Sequence, residues 1–281
     1  MRLFALKDAT DRDQSVLAVL CYYESADEYC IDMPPDTDPW TVPLVLSSFA
    51  ARGQWAIGAG WSKRWVESRL VPQSRQNLGE VLRENGLDAY DTLRLLEMTD
   101  GRNSQDDCFL TPLRLADCPE WYRERESARV VEAVALQGRR LLVAFRTDGV
   151  RLYESEELAM LDDGFSRIAE SEAVFERVEV ATGGRGVRWG SVVVIDDDQL
   201  RHAGTSLPLS WNDLSSIAPS LLVDSSEAAD MLGCTRQNLH ALAKRGSLPV
   251  AKSSGKATLF LRADIRARRA SGDASFPKAQ D

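Results

Sequence analysis

The chain of 281 residues carries 34 Lys/Arg against 43 Asp/Glu, a net charge of -9, and 44% of its residues are hydrophobic. At about 150 residues per domain this length predicts two or three domains, and so apolar a composition excludes a chain disordered throughout. A net charge of -9 also argues against nucleic acid as a partner of the chain as a whole, so any such function has to sit in a local basic segment.

The five cysteines, Cys21, Cys30, Cys108, Cys118 and Cys234, form no Cys-x-x-Cys pair. With no secretory apolar segment and no run long enough to span a bilayer, they predict reduced thiols in a cytoplasmic protein without a leader or membrane contact. His202 and His240 are the only histidines. That is too few for a His-based metal site or a Ser-His-Asp triad, and neither a cofactor nor enzymatic activity is expected.

The predicted class is α+β, in several domains. Residues 1–119 form the first. Val16 to Tyr23 is dense in strand formers and too short for a typical core helix, so it predicts a buried strand. Glu28 to Met33 pairs with it through a turn at Ser25-Ala26-Asp27. The run Pro34-Pro35-Asp36-Thr37-Asp38-Pro39 breaks regular structure. Helices follow over Pro43–Ala51, Trp61–Leu70, Arg75–Asn85 and Tyr90–Met98, with Asn85-Gly86 as a stop. Trp40, Trp55, Trp61 and Trp65 read as core and hinge packing. The polar residues Arg69, Arg75, Gln76, Asn77, Asn103, Ser104, Gln105, Asp106 and Asp107 are the one candidate ligand or enzymatic site here. Interhelical ion pairs and helix caps are the simpler reading. Asp106-Asp107 alone supplies too few oxygens for Mg²⁺.

Residues 120–219 turn to strands: Arg129–Leu136 and Arg140–Phe145 around Gln137-Gly138, Val150–Tyr153 after Thr147-Asp148-Gly149, then Phe175–Ala181 and Gly186–Trp189. Ser155 opens a short helix over 155–161 as its N-cap. Gly183-Gly184-Arg185-Gly186 lacks the Gly-Lys-Ser/Thr ending of a phosphate loop and reads as a hairpin turn. Asp196-Asp197-Asp198 reads as an acidic turn without a calcium loop's remaining ligands. Phe145, Asp148, Gly149, Phe175 and Trp189 resemble the pattern of a small bacterial domain of unknown function, over about 60 residues. The resemblance implies a compact α+β module often joined to DNA-binding parts. Ala218-Pro219-Ser220 reads as a linker.

Residues 220–269 carry the chemistry. From Asp224 to Arg269 there are nine Lys/Arg and four acids, a local charge of +5 that leaves -14 on the rest. Ser225 predicts an N-cap and Gly233 a stop for a helix whose Ala228, Ala229 and Leu232 share a face. Thr235 caps a second helix, Arg236 to Arg245, with Leu239, Leu242 and Ala243 inward and Gly246 at its end. The small alanines permit the close crossing that a helix-turn-helix needs. Thr235, Arg236, Gln237, Asn238, His240, Lys244 and Arg245 are the candidate DNA-contacting residues of this helix: Arg suits guanine, Gln and Asn suit adenine, Lys suits phosphate. Lys252, Ser253 and Lys256 sit in a following basic hairpin suited to the backbone or minor groove. The tail 270–281 is expected to be disordered.

Glu227-Ala228-Ala229, Leu232-Gly233, Thr235-Arg236-Gln237, Leu239, Lys244-Arg245-Gly246, Leu248-Pro249 and Arg262-Ala263-Asp264-Ile265 resemble the excisionase- and MerR-type winged helix-turn-helix. His240 departs from it, since the family usually has tyrosine there. The resemblance implies double-stranded DNA as the partner, with the second helix in the major groove. The expected function is transcriptional regulation, with the N-terminal domains sensing a ligand or partner or forming a homodimer. The alternative is an antitoxin-like or mobile-element accessory protein that binds a partner protein and autoregulates through the same module.

Overall fold

The computed structural model describes residues 1–255 and 257–270. They divide into two compact units, 1–208 and a unit beginning at Leu209.

The first unit starts with an antiparallel sheet in the order β4-β3-β2-β1-β5. Its strands are β1 (Arg2–Asp8), β2 (Ala18–Tyr23), β3 (Glu28–Asp32), β4 (Ala56–Ile57) and β5 (Cys108–Leu113). Both faces of the central strands are covered, which is why they read as unbroken apolar runs instead of alternating ones. Phe4, Leu6, Leu20, Tyr29 and Ile31 face a core closed by α1 (Leu44–Ala50), α2 (Ala59–Ser68), α3 (Leu78–Glu84) and α4 (Thr92–Met98). Leu3, Val19, Cys21, Tyr23 and Cys30 face Cys118 and Tyr122, the latter on α5 (Glu120–Ser127). Pro112 lies in β5, an edge strand, the position where a missing N–H is tolerated. All five cysteines are free, and burial pushes the Cys21 thiol up to about 11.

The second half of this unit builds a four-stranded sheet, β12-β8-β7-β6, and a three-stranded one, β11-β10-β9. In chain order the elements are β6 (Val130–Leu136), β7 (Arg140–Phe145), β8 (Val150–Tyr153), α6 (Ser155–Leu161), α7 (Phe165–Ala169), α8 (Glu172–Phe175), β9 (Glu179–Val180), β10 (Gly186–Trp189), β11 (Val193–Asp196), α9 (Asp197–His202) and β12 (Thr205–Leu207). Their core gathers Phe145, Phe165, Phe175 and Trp189. The Trp189 indole donates to the Phe175 carbonyl at 2.9 Å, so the aromatic ring is buried with its one polar atom satisfied.

A knot of buried charge joins the two halves. Asp32, at the end of β3, accepts from Arg125 (3.1 Å), Arg129 (3.1 Å) and Arg185. Arg129 also donates to both carboxylate oxygens of Asp197, each at 3.1 Å, and its Nε reaches Glu126 at 3.3 Å. Burial alone would push the Asp32 carboxyl up. The guanidiniums of Arg185, Arg129 and Arg125 outweigh it and hold that group at about 2.

Several sequence expectations give way here. Trp40 is 93% exposed and Trp61 is 51% exposed, so only Trp65 of the four tryptophans is fully in the core. Trp61 instead lies edge-on to Phe49 and under Arg64. The strand expected over 175–181 is a helix end followed by the two-residue β9, because Phe175 anchors α8 in the core. The acidic turn at 196–198 starts a helix: Asp196 accepts from the Gln199 amide at 2.8 Å, and Asp197 and Asp198 occupy the first turn, where the helix dipole favours them. The N-cap of α6 is Glu154, not Ser155, in a reciprocal capping box with Glu157.

The unit beginning at Leu209 contains α10 (Trp211–Leu221), β13 (Leu222–Asp224), α11 (Ser225–Leu232), α12 (Arg236–Lys244), β14 (Lys252–Ser254), β15 (Ala257–Leu261) and α13 (Arg262–Ala270). The expected linker at 218–220 is therefore the last turn of a helix. The three strands form one antiparallel sheet in the order β13-β15-β14. Val223, Ala228, Ala229, Leu239, Leu242, Leu248, Phe260 and Ile265 make its core. The expected disordered tail, apart from Ala270 at the end of α13, lies outside the described residues.

Candidate nucleic-acid interface

The interface is held up by two helices and the turn between them. Asp224, not Ser225, caps α11: its carboxylate accepts from the amides of Ser226 (2.7 Å) and Glu227 (2.9 Å). The Glu227 carboxylate returns to the Asp224 amide. These bonds, from Glu227 and then Ser226, hold the Asp224 carboxyl below its usual range. Ala228 and Ala229 are buried under α12 and α13, and having no side chain beyond Cβ they let the helices approach.

Gly233 ends α11 with φ 66 and ψ 35, a left-handed backbone. A Cβ there would meet nothing within 4 Å, so an alanine costs conformational strain alone. Gly233→Ala is expected to destabilise this unit by about 1–2 kcal/mol, read as a lowered midpoint in thermal denaturation followed by circular dichroism. Thr235 then caps α12, its hydroxyl accepting from the Asn238 amide at 3.3 Å.

With about 100° between successive residues, Arg236, His240 and Lys244 fall on one line along α12, with Gln237 beside it. All four are exposed, while Leu239 and Leu242 on the opposite side are buried. Thr235 and Arg245 are exposed at the two ends of the helix. Asn238 lies off this line and is half-buried. The Arg245 guanidinium donates back to the Ala241 carbonyl at 3.1 Å, which ties it to the helix end. The structure thus gathers Arg236, Gln237, His240 and Lys244 into one surface and leaves Asn238 and Arg245 off it.

Lys252 and Ser253 are exposed on β14, opposite Leu259 and Thr258 of β15. Lys256 lies outside the described residues. Two features escaped the sequence reading. Ser226, in the first turn of α11, accepts from the Arg236 guanidinium at 2.6 Å, so Arg236 is oriented by the neighbouring helix. Arg262 opens α13 and donates to the Ser220 carbonyl at 3.0 Å. Their spacings of 10 and 42 residues leave no periodic trace.

The polar residues of the first unit behave differently. Arg69 is buried over the Trp65 ring, bonded to Asp106 at 2.6 Å and to the Gly101 carbonyl at 2.8 Å. Arg75 pairs locally with Asn77 at 2.7 Å. The structure joins Arg69 to Asp106 as an internal tie and leaves Arg75 in a separate exposed turn. Among the described residues, no three His, Cys, Asp or Glu side chains gather where they could hold a metal ion, and no helix is long and apolar enough to cross a membrane.

The profile of a helix-turn-helix domain family matches residues 222–272. No curated protein and no solved structure matches the chain. The C-terminal part of this α+β protein is thus a helix-turn-helix domain, and its capped helix pair, left-handed Gly233 and packed alanines are the physical content of that match.

Proposed function

We propose that the chain is a DNA-binding regulator of transcription. In this reading α12 enters the major groove of double-stranded DNA and the β14–β15 hairpin acts as a wing on the adjoining backbone. The observation that carries it is the line of Arg236, His240 and Lys244, with Gln237 beside it, on the solvent side of a helix whose other side is fixed in a core. Side chains of this kind reach base edges and phosphates, and the rigid backing keeps them in register for recognition. The 1–208 unit then receives the signal, as a small ligand or a protein partner.

Binding is tested with the full chain by fluorescence anisotropy, on a site selected from random duplexes and on unrelated DNA. Arg236→Ala is expected to weaken the preferred site by roughly tenfold or more while leaving unrelated DNA little changed, the signature of a base contact worth about 1–3 kcal/mol. Lys252→Ala is expected to weaken both alike and to lower the salt slope by about one ion. Equal affinities of wild type and Arg236→Ala for the selected site would remove the reading.

A further inference from the structure

The first residue of α12 is held by a side chain of the other helix. The Arg236 guanidinium donates through Nη2 to the Ser226 hydroxyl at 2.6 Å. Among the described residues that hydroxyl makes no other hydrogen bond. The Ser226 backbone is itself fixed, its amide donating to the Asp224 carboxylate at 2.7 Å. Contacts thus run from the cap of α11 through Ser226 to the head of α12.

This tie differs from those of the other bonded arginines. Arg69 and Arg129 are buried and meet carboxylates, so their charge is taken up inside the first unit. Arg245 and Arg268 donate to backbone carbonyls, of Ala241 at 3.1 Å and of Ser247 at 2.9 Å. Arg236 is exposed, and its partner is a neutral hydroxyl on another helix. The Asp224 carboxylate feels the Arg236 charge but forms no ion pair with it, being engaged by the amides of Ser226 and Glu227. The guanidinium therefore keeps its charge and the rest of its planar donor fork, while its long stem loses freedom.

The place of this residue matters as much as its tie. Thr235 is the N-cap, so Arg236 is the first residue of α12. In a helix-turn-helix the N-terminal residues of the second helix are the ones that reach base edges. Arginine there reads guanine by two hydrogen bonds, to O6 and N7, and both form only if the plane of the guanidinium is right. An untethered arginine has to be ordered on binding, and it can swing to a phosphate instead, which carries no sequence information.

We propose that Ser226 is a positioning residue for base recognition. Its hydroxyl fixes the Arg236 guanidinium before DNA arrives, so the preference for guanine at one position of the site depends on a residue outside the recognition helix. This deepens the proposed DNA reading and rests on it.

The test is site selection from random duplexes with the full chain, followed by fluorescence anisotropy. The position at which Arg236→Ala loses its preference for guanine marks the base that Arg236 reads. Ser226→Ala is expected to lower the preference there by roughly three- to tenfold, the ordering cost of one long side chain expressed as a ratio. Other positions, unrelated DNA and the thermal midpoint are expected to change little. Ser226→Thr, which keeps the hydroxyl, is expected to select as wild type does, and Ser226→Ala/Arg236→Ala to be no less selective than Arg236→Ala. Without DNA, the heteronuclear NOE of the Arg236 Nε–H is expected to be high in wild type and Ser226→Thr and to fall in Ser226→Ala. An unchanged preference in Ser226→Ala overturns the role of Ser226 and leaves the DNA reading intact. So does a uniform loss over all sequences with a lowered midpoint, the mark of a merely structural bond, and so does tighter binding, the mark of a hydroxyl that holds Arg236 back. A wild type that selects no site removes the DNA reading and the role of Ser226 with it. An NOE equal in wild type and Ser226→Ala overturns the role of Ser226 whether or not DNA is bound, which separates the two failures.

Discussion

Replacing Asp32 by alanine is expected to destabilise the 1–208 unit by about 3–5 kcal/mol, the usual cost of removing one partner from a buried ion pair. Asp32 is fully buried and receives three guanidiniums, from Arg125, Arg129 and Arg185. Without it, Arg185 keeps no carboxylate within ion-pair distance among the described residues, and Arg129 keeps Asp197 and Glu126. Asp32→Asn retains the shape but not the charge and falls on the same side. The pH dependence carries a definite sign. The folded carboxyl is held at about 2, below the roughly 3.9 of an unfolded aspartate. Its contribution is therefore complete above about pH 4 and is lost as the pH falls towards 2. Urea midpoints at pH 7 and pH 3 measure this. Wild type is expected to lose stability between them, and Asp32→Asn to lose less. Equal acid sensitivity in the two proteins would show that the knot does not govern acid stability.

Phe260→Ala is expected to cost about 3–5 kcal/mol, as for other buried phenylalanines, and here the loss falls on a small unit. Phe260, on β15, is fully buried and packs with Val223, Ala229, Leu239 and Ile265. A unit of this size holds only about 3–9 kcal/mol in total. The expected result is loss of hydrogen-exchange protection across residues 222–270, with 1–208 still protected, and loss of DNA binding together with it. Protection retained in α11 and α12 would refute the claim that one core supports both helices.

What was legible in the sequence was what is local. Ser225, Gly233, Thr235 and Gly246 punctuate the helices, each within a dozen residues of the next, and the apolar positions of α11 and α12 lie three and four apart. The helix pair and its exposed line could therefore be read directly, with an error of one residue at the cap. The β2–β3 hairpin was legible for the same reason. The inner strand β1 was not anticipated: Arg2–Asp8 is a short apolar run buried on both faces, without the alternation that separates strand from helix. Nor was the role of Asp32, whose partners lie 93, 97 and 153 residues away. Residues 218–220 looked like a linker because Pro and Ser are common there. The helix continues through them, with Ser220 bonded back to Ser216 at 3.1 Å.

The charged knot also bears on how the chain acquires its structure as it is made. Asp32 is synthesised early, and Arg185, which engages both of its oxygens, follows 153 residues later. At about 5–20 residues per second, roughly eight to thirty seconds separate them. Arg125 and Arg129 are made first, 93 and 97 residues after Asp32, so the carboxylate gains its cations in steps. Such long-range closure slows folding. The knot can therefore close only after residue 185 has been made, so Asp32, on the strand that also carries Cys30, reaches its final environment late in the synthesis of the first unit.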